Sequence, residues 1–113
     1  MAYGDAQVQL AFDALADPTR RRVLEAVSSG RSTPGEISAG LPVSRPAVSQ
    51  HLKQLLAAGL VEVQAQGTRR HYRLVDSGPV ALRRYLDELW GDALQRFASY
   101  VESQAPGGGR DDH

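Results

Sequence analysis

Between residues 33 and 59 the chain has to start a helix, stop it within a few residues and start another, and this spacing restricts the fold more than any other feature. Thr33-Pro34-Gly35-Glu36 is a start signal: Thr33 can cap the free N–H groups of a first turn, and Glu36 can return a bond to the backbone of the cap. Gly40-Leu41-Pro42 ends that helix, because proline lacks the donor and clashes with a preceding turn. Ser44 then caps a second helix running to about Ala58, with Val48, Leu52, Leu55 and Leu56 on one face and Gly59 as its stop. Two helices joined by one tight turn have the layout of a helix-turn-helix.

The flanking segments complete a small domain. Val8, Ala11, Phe12 and Leu15 recur at helical spacing, and Asp17-Pro18 opens a second helix through about Ser28 that buries Val23, Leu24 and Val27 before Gly30. After Gly59 the apolar period falls to two: Leu60, Val61 and Val63 on one side and Tyr72 and Leu74 on the other bracket Gln66-Gly67-Thr68-Arg69, a hairpin signal. A single long helix is expected from Val80 to Val101, where Leu82, Leu86, Leu89, Ala93, Phe97 and Tyr100 are flanked by Tyr85, Trp90, Leu94 and Val101. That stripe is too wide for one neighbour. The expected fold is therefore mainly α with a small β-hairpin: a winged helix-turn-helix of four helices, a two-stranded wing and a long C-terminal dimerisation helix. Residues 7–104 form the folded unit, residues 1–6 are expected to be flexible, and the tail 105–113, with Pro106-Gly107-Gly108-Gly109, is expected to be disordered.

Composition narrows the function classes. A chain of 113 residues, 42% of them hydrophobic, suits one modest core, and it contains no apolar run that could span a bilayer. No membrane partner is therefore expected. The first nine residues lack the features of an export or transit segment, so a cytoplasmic location is expected. Cysteine is absent, which removes disulfides, thiolate nucleophiles and cysteine-based zinc sites. His51, His71 and His113 lie on separate elements without ligand spacing, so neither a metal site nor a cofactor is expected. Ser49 and His51 are two residues apart on one helix and do not face each other; no nucleophile can be paired with a base, and the chain is not expected to be an enzyme. Total charge balances at 13 basic and 13 acidic residues, yet residues 44–75 carry five basic residues against Glu62 alone. That segment is the one local footprint suited to phosphate.

With Val48, Leu52 and Leu55 inward, Arg45, Ser49, Gln50 and Lys53 turn toward the opposite side near the start of the second helix of the motif. Short polar side chains, an amide and a guanidinium there suit base edges in a major groove, and Ser44 with its free N–H groups suits a phosphate. A polar helix face alone is more often solvated surface; the short preceding helix, the tight turn and the hairpin favour DNA. Arg69, Arg70, His71 and Arg73 sit at or beside the hairpin tip, where long cations are within reach of a DNA backbone, although charged tips also serve solubility. The Arg20-Arg21-Arg22 run reads as a solvated helix start.

Three blocks of sequence, in order and at matching spacing, make the chain similar to the arsenical-resistance repressor (ArsR) family. They are residues 14–24 (ALADPTRRRVL), residues 44–55 (SRPAVSQHLKQL) with residues 58–61 (AGLV), and residues 67–74 (GTRRHYRL). The resemblance spans about residues 8–104. It implies a homodimer paired through the first and last helices, the fourth helix in the major groove and the wing on the flanking backbone. Ser44, Arg45, Ser49, Gln50 and Lys53 then fall on the recognition-helix positions and Arg69 and Arg70 on the wing. His51 and Arg73 are expected DNA contacts beside them, and Val8, Phe12, Leu86, Leu89, Trp90, Ala93, Phe97 and Tyr100 are the expected dimer interface. Metal-sensing members carry cysteines in or near the third helix, where this chain has residues 33–38 (TPGEIS), or Asp and His on the last helix, where it has Asp87, Glu88 and Asp92 without histidine. The resemblance therefore implies the branch that does not sense metals. The expected partners are duplex DNA with a palindromic operator and a second copy of the chain. Alternatives are a repressor released by an unidentified small molecule, and a protein-interaction module on the same fold.

Overall fold

The computed structural model describes residues 6–104. These fold in the order α1 (Ala6–Ala16), α2 (Pro18–Ser28), α3 (Pro34–Ala39), α4 (Arg45–Ala57), β1 (Val61–Gln66), β2 (Arg69–Leu74), α5 (Ser77–Trp90) and α6 (Ala93–Gln104). Ala6 opens α1, and the rest of the expected flexible N-terminus and the whole of the expected disordered tail lie outside the described residues. Among the described residues no helix is long and apolar enough to cross a membrane.

The three capped starts form as their sequences dictate. Asp17 Oδ2 accepts the Arg20 N–H at 3.2 Å, Thr33 and Glu36 close a reciprocal capping box, and Ser44 Oγ accepts the Ala47 N–H at 3.2 Å. The corner at Asp17-Pro18 follows α1 so closely that the last carbonyls of α1 need partners, and arginines on α2 reach back to them. Arg20 donates from Nε to the Ala14 carbonyl at 3.0 Å and from Nη2 to that of Asp13 at 3.2 Å, and Arg21 donates to that of Leu15 at 2.6 Å. Two of the three arginines expected to be solvated thus cap the C-terminus of α1.

The core gathers around α4, which packs against α1, α2, α3 and β1. Val48, Leu52 and Leu55 of α4 are completely buried with Val23 and Ile37, and Leu60, Val61 and Tyr72 extend this core beneath the hairpin. The strands are antiparallel, in register from Val61 opposite Leu74 to Gln66 opposite Arg69, and Gly67 takes φ 64° in the two-residue turn between them.

α5 is seated on the end of α4 at a buried glycine. The Gly78 N–H donates to the Gly59 carbonyl at 2.8 Å, and a Cβ at Gly78 would stand 2.7 Å from the Ala58 carbonyl oxygen. Backbone cannot yield there as a flexible side chain would. Gly78→Ala is expected to lower the free energy of unfolding by about 1–3 kcal/mol. Chemical denaturation measures this, and an unchanged midpoint would show that the joint tolerates separation.

Two expectations need correction. The uninterrupted helix from Val80 to Val101 is two helices, because the chain turns at Gly91 (φ 57°, ψ −127°), a conformation suited to glycine. Gly91 still donates to the Asp87 carbonyl at 2.7 Å before leaving the helix, and Asp92 accepts the Arg96 N–H at 3.0 Å as α6 begins. Val8, expected at the dimer interface, is only 5% exposed; α1 packs along α5 and turns this residue inside its own chain. Phe12 remains exposed and meets Tyr85 edge-on, ring centroids 5.5 Å apart. Leu86, Leu89 and Trp90 of α5 and Leu94, Phe97, Tyr100 and Val101 of α6 are also exposed, Phe97 by 65%.

Candidate nucleic-acid interface

The buried triad of α4 fixes the rotation of the helix, and that rotation leaves Arg45, Ser49, Gln50 and Lys53 exposed beyond the exposed cap residue Ser44. Opposite them stands the hairpin tip. A groove of about 600 Å³ runs between the two, bordered by Gly35, Arg45, Ser49, Thr68, Arg69 and Arg70. A smaller hollow of about 220 Å³ joins Ser49 and Lys53 of α4 to Arg70 and Tyr72 of β2. Arg45 lies across the first turn of α3, where its Cζ would be 3.6 Å from a Cβ at Gly35. The structure therefore brings Arg45, Ser49, Lys53, Arg69 and Arg70 together around one concave surface, with Gln50 exposed further round α4.

Two expected members of this group have partners elsewhere. His51 is turned toward the α2 cap and places Nδ1 3.7 Å from Asp17 Oδ2, since its position on α4 adjoins the buried face. Arg73 pairs with Glu62, the residue opposite it across the hairpin. This pair consumes the one carboxylate of residues 44–75 and leaves Arg45, Arg69 and Arg70 as exposed positive charges bordering the groove and Lys53 bordering the adjoining hollow.

The hairpin is also tied to the loop before α3. The Tyr72 N–H donates to the Ser32 carbonyl at 2.8 Å, and His71 Nδ1 lies 2.9 Å from Ser32 Oγ. Glu36 Oε1 accepts the Ser32 N–H at 2.9 Å and the Thr33 N–H at 3.3 Å, with Ser32 Oγ 3.4 Å away. The Ser32 and Thr33 backbone donors hold the Glu36 carboxyl below its ordinary pKa against a smaller opposing desolvation, with lesser lowering contributions from the Ser32 hydroxyl and His71. Sequence reasoning singled out Glu36 as a cap and passed over Ser32; the only available signal was a serine directly before the capping threonine.

A family profile described as a helix-turn-helix domain matches residues 15–64. The chain is 49% identical, over 83% of its length and 88% of the relative's, to the HTH-type transcriptional regulator Rv2034 of Mycobacterium tuberculosis. It is 45% identical to the HTH-type transcriptional regulator CmtR of the same species, over 67% of this chain and 62% of CmtR. A solved structure described as an ArsR-like transcriptional regulator from Rhodococcus sp. RHA1 superposes with a TM-score of 0.70 at 29% identity, covering 88% of this chain and 93% of the other. The chain belongs to the ArsR family of winged helix-turn-helix transcriptional regulators. In this ArsR-family regulator α3 and α4 are the helix-turn-helix and β1–β2 the wing, and the cationic groove lies between them.

Proposed function

We propose that this ArsR-family regulator is a homodimeric repressor that reads a palindromic operator, acts in the cytoplasm, and uses neither a metal nor another cofactor. The observation that carries the proposal is the concave surface between α4 and the wing, where Arg45, Arg69 and Arg70 border one groove, Lys53 borders the adjoining hollow, and the one carboxylate of the groove lining, Glu36, is engaged in capping α3. Arg45, Ser49, Gln50 and Lys53 enter the major groove with Ser44 toward a phosphate, while Arg69 and Arg70 hold the adjacent backbone. His51 and Arg73 act within the chain, on Asp17 and Glu62. CmtR of M. tuberculosis is described as a cadmium metal-sensor. The present chain has no cysteine, and no group of three His, Cys, Asp or Glu among the described residues is placed to hold a metal, which supports a regulator of the non-metal branch. The exposed apolar surface of α1, α5 and α6 supports the dimer.

Selection of bound duplexes from a random pool tests the reading. Enrichment of a two-fold symmetric site is expected, and a pool that stays random overturns sequence-specific binding. The wing contribution separates from base readout: Arg69→Ala with Arg70→Ala is expected to weaken binding to every duplex alike and to reduce the salt slope by about one for each phosphate no longer neutralised. An unchanged slope would place the wing away from DNA.

A further inference from the structure

The contact between His71 and Ser32 joins the wing to the helix-turn-helix through groups that exchange protons. A serine hydroxyl has one proton, and Ser32 Oγ has two claimants, Glu36 Oε1 at 3.4 Å and His71 Nδ1 at 2.9 Å. If the hydroxyl donates to Glu36, Nδ1 must carry a proton and donate to Oγ. If the hydroxyl donates to Nδ1, Glu36 keeps its two backbone donors alone. A neutral imidazole with its proton on Nδ1 and a protonated one both complete the path from β2 to the carboxylate that caps α3. Only the protonated ring makes the contact charge-assisted, the stronger kind. The surroundings leave Glu36 as the carboxylate of this path. Arg69 and Arg73 share the His71 side of β2 by strand alternation, Gln64 is its cross-strand partner, and Glu62 is occupied by Arg73. Arg69 and Arg70 directly precede His71, so whatever fixes His71 also fixes where those cations stand relative to α4.

We propose that Ser32, Glu36 and His71 form a latch that sets the wing against α4, and that protonation of His71 tightens it, so that affinity for duplex DNA rises as pH falls. The three are positioning residues that act through Arg69 and Arg70. The inference rests on the reading of α4 and the wing as the DNA-contacting surface.

The test is binding of the whole chain to a duplex from the selection, by fluorescence anisotropy over a salt series at about pH 6 and about pH 8, the range in which imidazoles titrate. Wild-type protein is expected to bind about three- to fivefold more tightly at the lower pH, the size of one strengthened hydrogen bond. His71→Gln and Ser32→Ala are expected to lose that difference while keeping the salt slope. Both retain His51, so any contribution of that residue cancels in the comparison. A Ser32→Ala protein with the full pH response would overturn the latch, because His71 would then act only as a charge near phosphate; so would a His71→Gln protein that responds as the wild type does. If wild-type protein binds no duplex, the DNA-contact reading fails by itself and the latch is tested in the free protein. Exchange protection of the Tyr72 amide, corrected for intrinsic rate, is then expected to increase at the lower pH in wild type and not in Ser32→Ala. Equal protection in the two overturns it.

Discussion

A chain carrying Leu89→Glu and Phe97→Glu is expected to sediment as a monomer and to lose affinity for the two-fold operator by about a hundredfold or more. Both side chains are already in water within the single chain, Leu89 46% and Phe97 65% exposed, so charging them leaves the core around α4 intact. What changes is the outer surface. Leu86, Leu89 and Trp90 on α5, Phe97 and Tyr100 on α6 and Phe12 of α1 beside Tyr85 are all exposed, and so many large apolar side chains in water call for a partner. In the proposed dimer a second copy related by a two-fold axis supplies the same surface in return and spaces two α4 helices about one turn of DNA apart. Each half-site then raises the effective concentration of the other, a gain of about 10²–10⁴ that the monomer forfeits. Sedimentation checks the first part, and anisotropy on full and half-site duplexes the second. Wild-type protein that is monomeric at micromolar concentration, yet bound tightly to a single half-site, would sink the dimer.

The parts of this fold that could be read in the sequence are those whose causes are local. Asp17, Thr33 and Ser44 each announce a helix within four residues, and Val48, Leu52 and Leu55 reveal the buried side of α4 and hence its outward one. The hairpin was readable for the same reason, from Gly67 and the change of period. Features fixed by distant partners were not. His51 sits at the edge of the buried face of α4, and only the packing of α2 against α4 shows that Asp17 claims it. Arg20 and Arg21 look like surface charges until the corner at Pro18 exposes the carbonyls of α1. Gly91 is a stop signal of the same kind as Gly59, but the apolar spacing from Leu89 to Ala93 passes straight across it and reads as one continuous helix. Periodicity reports which positions are apolar; it does not register a backbone turn that preserves their spacing.

Arg45→Ala and Gln50→Ala, tested singly, are expected to cost the dimer about 2–6 kcal/mol against its preferred site, because each bidentate base pairing is worth about 1–3 kcal/mol and disappears from both half-sites. On the proposed reading the two residues reach DNA from different places on α4. Arg45 stands at the first helical position, laid over the start of α3 and bordering the groove below the wing, whereas Gln50 projects from the exposed side one turn later. A guanidinium is suited to the O6 and N7 acceptors of guanine, and an amide to the N6 donor and N7 acceptor of adenine. Loss of Arg45 should therefore relax preference at a guanine, and loss of Gln50 at an adenine, one or two positions away within each half-site. Neither residue belongs to the core, so thermal stability should stay near that of the wild type. Repeating the duplex selection with each variant reads the positions directly, and anisotropy on specific and random duplexes measures the cost. If specific and random duplexes weaken by the same factor, the residue concerned touches phosphate and carries no sequence information.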